Sequence, residues 1–251
     1  MMSYDKMALV YDVLMEDAPY DQWVSFTENM FAEFGVNISS VADLGCGTGQ
    51  ITRRLAKKGY ELYGVDFSSE MLTYAEQASH AEQLDIQWIQ QDLRRLNKFP
   101  QMDAAISYCD VINYITDESE IKQVFHNVHE ILKDKGLFLF DVHSINHVES
   151  DLKGETFAEI YDDLSYVWLC QPGEHQGEVV HELTFFVQDQ LKYDRFDETH
   201  HQRTFPIDKY EDLLVDTGFI IRGVYADFST TPLQTEEDTN SERIFFVCQK
   251  K

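Results

Sequence analysis

Three glycines at alternate positions, Gly45, Gly47 and Gly49, follow a short apolar run that ends in Asp43-Leu44. A strand that reaches such a loop must turn sharply and start a helix. Glycine accepts positive φ there and lets a ligand come close to the backbone. The helix that follows, over 50–58, offers free N–H groups and the positive end of its dipole to an anionic group. Two common ligand classes do not fit. The dinucleotide pattern G-x-G-x-x-G fails because Gln50 stands in the third-glycine position, and no Gly-Lys-Ser/Thr follows for a phosphate loop. Seventeen residues after Gly49 comes Asp66, at the end of a second apolar run. A carboxylate there can accept from both hydroxyls of a ribose. Phe67 beside it can lie against a base. An ordinary tight turn with a turn-forming acid is the plainer reading of both features.

The elements that must position these residues alternate along the chain. Runs over 60–66, 86–91, 102–108 and 137–140 read as strands, and the last is continuously apolar, as expected for a buried parallel strand. Between them, Ile51 and Leu55 give one helix its inward stripe. Ser68 is a good N-cap for a helix containing Met71, Leu72 and Ala75. Ile121, Val124, Phe125, Val128, Ile131 and Leu132 line one face over 118–132. Trp23, Phe26, Met30, Phe31 and Phe34 make a further helical stripe over 21–35. Strand–helix alternation with acids at strand ends predicts a doubly wound sheet that binds its ligand at the carboxyl ends of the strands.

The pattern Asp43-x-Gly45-x-Gly47-x-Gly49 resembles motif I of the class I S-adenosylmethionine-dependent methyltransferases, and the likeness extends over about 38–143. It implies a mostly parallel seven-stranded sheet. The last two strands, near 218–221 and 243–248, would form an antiparallel hairpin behind a helix over 207–217. It implies S-adenosylmethionine as cofactor, held by Asp43, Gly45, Cys46, Gly47 and Gly49 in the loop and by Asp66, Phe67 and Met71 beyond it. Asp92 would accept the adenine amino group and Leu93 would offer its N–H to a ring nitrogen; a turn-forming Asp92 is the alternative. Ser107 and Tyr108 would lie under the methionine part, with Asn113 and Tyr114 near the acceptor. The N-terminal segment, with Tyr4 and Tyr11 in repeated Tyr-Asp settings, is either a capping segment or a flap over the cofactor.

Residues 144–205 break the alternation. Aromatic, β-rich runs over 157–161, 165–171, 179–187 and 193–205 predict a small antiparallel sheet, inserted after the fifth strand. The expected division is therefore 1–143 plus 206–251 for the α/β domain, with 1–35 as its cap, and 144–205 for the insertion. The position is similar to that of β insertions in small-molecule N- and O-methyltransferases, which makes it a candidate acceptor lid. A dimerisation arm, and with it a homodimer, is the rival reading. Within it, His201 and Arg203 share one strand face and Glu198, His200 and Gln202 the other. Arg203 could bind an acceptor carboxylate. The His-His-Gln run lacks the spacing of a metal site, so no metal is called for.

Methyl transfer from a sulfonium is an in-line displacement that needs positioning more than covalent machinery. A base matters only where the acceptor must lose a proton. His143 is the first candidate base, against the reading of a structural histidine. Tyr11, Asn113 and Arg203 are candidate acceptor contacts. Twenty basic against 45 acidic residues give a net charge of −25. That charge disfavours nucleic-acid phosphates as a partner. Scattered cysteines and the lack of a signal-like or spanning segment predict a cytoplasmic protein with no membrane partner. The expected function is methylation of a small molecule at N or O. RNA or protein methylation is the alternative, as is a cofactor-binding protein without turnover.

Overall fold

The computed structural model describes residues 10–35, 37–233 and 240–251. Tyr4 lies outside them. Seven strands form a central sheet: β1 (Ser40–Leu44), β2 (Glu61–Asp66), β3 (Ile86–Gln90), β4 (Met102–Ser107), β5 (Leu132–His143), β10 (Phe219–Ala226) and β11 (Arg243–Lys250). Their order across the sheet is β10-β11-β5-β4-β1-β2-β3. Strands β1 to β5 pair in parallel. Strand β11 runs antiparallel to both β5 and β10, which is the predicted terminal hairpin.

Side-chain alternation along β5 explains why this sheet is covered on both faces. Phe138 and Phe140 point into one core with Phe125, Val128, Tyr210, Leu214 and Phe246. Leu137 and Leu139 point into the other with Trp23, Phe26, Met30, Leu55 and Phe245. The second core lies under α1 (Tyr20–Phe34) and α2 (Gln50–Lys57), the first under α4 (Glu118–Ile131) and α5 (Ile207–Asp216). Helix α3 (Ser69–Ala81) packs near β2 and β3, and its Ser68 cap accepts from the Met71 N–H, as expected from sequence. Leu132, expected in the helix, has extended backbone and opens β5 while staying in the core.

The chain crosses from β1 to β2 and β3 on one side, then returns to β4 on the other. Strand order therefore reverses between β1 and β4, and a crevice opens beyond their carboxyl ends. Over it sits a second sheet, built from β6 (Thr156–Ile160), β7 (Leu164–Pro172), β8 (Glu178–Asp189) and β9 (Lys192–Arg203). These four strands lie in sequence order and pair antiparallel throughout. The two ends of the insertion meet at a neck, where Thr204 Oγ1 donates to His143 O at 2.5 Å. Residues 10–14 form a helical turn. Val10 packs with Met71 of α3 and with Leu164 and Phe185 of the second sheet, closing one side of the crevice.

Candidate active site

The loop after β1 is built by three different glycines. Gly45 and Cys46 donate their N–H groups to Val65 O at 2.7 and 3.0 Å, tying the loop to β2. A Cβ on Gly45 would meet Val111 at 2.4 Å, and one on Gly49 would meet Trp88 at 2.5 Å. Those two glycines are required by packing. Gly47 differs: its φ is +54° and an added Cβ would meet nothing within 4 Å. The open side of Gly47 is the wall of a cavity of about 640 Å³.

Asp66 clamps this loop. Its two carboxylate oxygens accept from the N–H groups of Gly47 and Ser68, each at 2.9 Å. Burial raises its pKa. Asp43 lies deeper, where burial pushes it up to about 7, and Thr52 Oγ1 donates to it at 2.5 Å. Phe67, 57% exposed, flanks the cavity next to Asp66. Asp92 caps a 3-10 turn by accepting from the Arg94 N–H at 2.9 Å, and Arg94 Nη2 reaches it at 2.7 Å. The Arg94 side chain holds Asp92 below the usual carboxylate range.

At the opposite end, β4 runs into Cys109 and Asp110, both left-handed, with φ of +58° and +54°. Consecutive non-glycine residues in that region are held only where surrounding contacts fix them. Here the Asp110 N–H donates to Asp141 Oδ1 at 2.9 Å. Arg243 Nη1 and Nη2 both donate to Asp110 Oδ1 at 3.2 Å, and Arg243 Nη1 lies 3.2 Å from Asp141 Oδ2. Gln202 Nε2 donates to Asp110 Oδ2 at 2.7 Å. His143 Nε2 faces Asp110 Oδ1 at 3.6 Å. Asp110 stays low in pKa despite burial, through the charge of Arg243 and the Gln202 hydrogen bond. Burial lowers His143 to about 4, so its ring is neutral at pH 7. Its Nδ1 has no partner among the described residues.

The second sheet supplies the facing wall: Tyr166 and Trp168 from β7, His181 and Leu183 from β8, His200 and Gln202 from β9. Burial brings His200 to about 4 and lowers His181. The imidazoles of this wall are therefore uncharged at pH 7. Tyr20 also lines the cavity, and its buried hydroxyl has no partner among the described residues.

Of the residues singled out from sequence, Tyr11, Asp43, Gly45, Cys46, Gly47, Asp66, Phe67, Met71, Asp92, Leu93, Tyr108 and His143 line this one cavity. Tyr108 does so with its hydroxyl turned away, bonded to Thr27 Oγ1 at 2.8 Å. Burial raises the Tyr11 hydroxyl far above its ordinary pKa, so it can donate a hydrogen bond but not act as a base.

Four expected residues do not reach the wall. Gly49 is packed on Trp88. Ser107 Oγ donates to Leu44 O at 2.8 Å, pinning β4 to β1 beneath the loop. Asn113 is a brace: its Oδ1 accepts from the His143 N–H at 2.9 Å and its Nδ2 donates to Arg203 O at 3.0 Å. Arg203 lies over the Phe205 ring at 4.4 Å and donates to Thr116 O at 3.4 Å, so it offers no acceptor carboxylate a partner from this wall. The strand parity read from sequence holds, with Glu198, His200 and Gln202 buried on one face, and it is this face that meets the cavity. Asp110, Trp168, His181 and Arg243 are site residues that sequence reasoning misses. They come from four different segments, and only the turn after β4 marks any of them.

Comparison with known proteins places the chain in a family. Residues 41–136 match a family model described as "Methyltransferase domain". The YqeM protein of Bacillus subtilis (strain 168), named provisionally as a methyltransferase, is 43% identical over 99% of this chain and 98% of its own. The crystal structure of an S-adenosylmethionine-dependent methyltransferase from Clostridium acetobutylicum ATCC 824 superposes with a TM-score of 0.87 at 29% identity, covering 98% of both chains. The fold is also that of CalS10 from Micromonospora echinaspora, an amino pentose methyltransferase solved with S-adenosylmethionine bound. That likeness covers 96% of this chain and 97% of CalS10, with a TM-score of 0.76 at 15% identity.

Proposed function

Because the chain belongs to the S-adenosylmethionine-dependent methyltransferases, we propose that its cavity methylates a small polar molecule, at nitrogen or oxygen, beneath the four-stranded sheet. One observation carries this reading: the Gly47 and Asp66 end and the His143 and Gln202 end are walls of a single cavity. The cofactor fits the first end. Gly47 leaves open space where any side chain would stand, and Asp66, at the end of β2, Asp92 and Leu93 line the same end; we assign Asp66 the ribose hydroxyls and Asp92 and Leu93 the adenine edge. The bound cofactor supplies a methyl group on a sulfonium, a leaving group that departs neutral.

What the chain's own residues do follows from charge. Asp110 and Asp141 share one buried cation, Arg243, which leaves this end with a net charge of about −1 when both acids are ionised. The imidazoles beside it are neutral. Such a wall favours an uncharged or cationic acceptor and disfavours a carboxylate or phosphate. An amine is preferred over a hydroxyl, because its protonated form is attracted before it gives up a proton. His143, which lines the cavity beside Asp110, is the residue we assign to take that proton; the Asp110 carboxylate facing its Nε2 raises its affinity for a proton against the burial that lowers it. The sheet excludes water and holds the acceptor in line.

The test is release of S-adenosylhomocysteine from matched panels of small amines, alcohols and carboxylic acids. Turnover should appear among amines or alcohols and should fall at least tenfold in His143→Gln. Turnover confined to anionic acceptors or to RNA would contradict the assignment.

A further inference from the structure

The polar residues of the four-stranded sheet form a chain with one direction. Trp168 Nε1 can only donate, and it reaches His181 Nδ1 at 2.9 Å. Cys170 Sγ approaches the same nitrogen at 3.5 Å. Nδ1 is therefore the lone-pair nitrogen and the ring proton sits on Nε2. That proton meets Gln202 Oε1 at 3.0 Å. The amide is thereby oriented, and its Nε2 is left to donate to Asp110 Oδ2 at 2.7 Å. No other polarity satisfies all three links with an ionised Asp110. His181 is 6% and Gln202 4% exposed, so the chain is buried and each member has its partner.

We propose that this relay is how the inserted sheet acts on the reacting end of the cavity. His181 and Gln202 are positioning residues that hold Oδ2 of Asp110, so that Oδ1 stays turned toward Arg243 and His143. Without the Gln202 donor, Asp110 Oδ2 is left bare. The guanidinium of Arg243 can then take both oxygens in the two-pronged geometry it prefers, drawing the carboxylate away from His143. Seating of the sheet and orientation of the acid that faces the base thus become one event. The purpose of the relay rests on the methyl-transfer reading; its existence does not.

The titratable and charged groups facing the relay are Asp110, Cys109 and Asp141 behind β4 and in β5, Arg243 in β11, His143 in β5, Cys170 in β7 and His200, which pairs with His181 across β8 and β9. The experiment is long-range proton–nitrogen NMR on full-length protein labelled with nitrogen-15 histidine, between pH 6 and 8, with His181→Asn and His143→Gln used for assignment. The parent should show His181 as the neutral Nε2–H tautomer throughout. Gln202→Leu should speed exchange of that proton with water about tenfold, the equivalent of one lost hydrogen bond, and should shift the His143 resonances. His181 found as the Nδ1–H tautomer would overturn the proposal, and so would His143 resonances unmoved in Gln202→Leu. The tautomer is read on the parent alone, so it decides the matter even if a variant fails to fold. No cofactor or acceptor is needed, so failure here leaves the methyl-transfer reading standing, and the reverse holds too.

Discussion

Gly47 and Gly49 are two residues apart and do different work. Gly49 is filled against by Trp88, whereas Gly47 borders open space. Gly47→Val should therefore cost only the strain of a branched side chain at positive φ, without a clash, and abolish binding of S-adenosylhomocysteine. Gly49→Val should lower the melting temperature steeply. Equal loss of stability in both would contradict the distinction. Asp66→Ala removes an anchor of the Gly47 N–H as well as the proposed ribose acceptor, and should weaken binding by about 2–3 kcal/mol; calorimetry showing unchanged affinity would take Asp66 out of the site. His143 is read by pH. Its folded pKa of about 4 lies below the ordinary 6.5, so as pH falls the unfolded chain takes up the proton first. The stability held by its neutral ring is complete above pH 6.5 and is lost as pH falls toward 4. Thermal melts from pH 7.5 to 5 should show the parent losing more than His143→Gln. Equal losses would mean that the ring is not held neutral by burial.

At the scale of elements, the four-stranded sheet is the part that the α/β domain does not need for its own core. Its two ends meet at the neck between His143 and Thr204, so a short glycine linker can replace 146–202. The excised protein should still bind S-adenosylhomocysteine and should lose acceptor turnover. Binding lost with the fold intact would instead give the sheet a part in holding the cofactor, through its packing on Val10 and Tyr11. The strands of this sheet are legible in sequence because aromatic runs alternate between clear turn signals. The two faces of β9 are also legible, since a strand's period is two. Which face turns inward is not. Arg203 looks the more chemical residue, but a single arginine finds an aromatic ring and a carbonyl near its own strand end. Glu198, His200 and Gln202 are the face that the cavity requires. Asn113 lies close to its expected neighbourhood in a different role, because it holds the His143 backbone and not the acceptor.

For the whole molecule, the Gly47 and Asp66 end of the cavity can be read from the chain because one loop, one strand end and one turn build it within 43–93. Short-range spacing specifies such a site. The His143 and Gln202 end is assembled from β5, β8, β9, β11 and the turn after β4, whose residues lie far apart in sequence and come together only through sheet order. Asp110 and Arg243 are 133 residues apart and share a hydrogen bond. No local pattern announces that pair. The overall charge of −25 repels polyanions. We place the sulfur nucleoside in the crevice between β1 and β4, against the Gly47 and Asp66 end. Calorimetric titration with S-adenosylmethionine, S-adenosylhomocysteine and NAD measures it most directly. Micromolar binding of both sulfur nucleosides, no binding of NAD, and loss of the signal in Gly47→Val is the predicted result. Binding that persists unchanged in Gly47→Val, or that favours NAD, would contradict it.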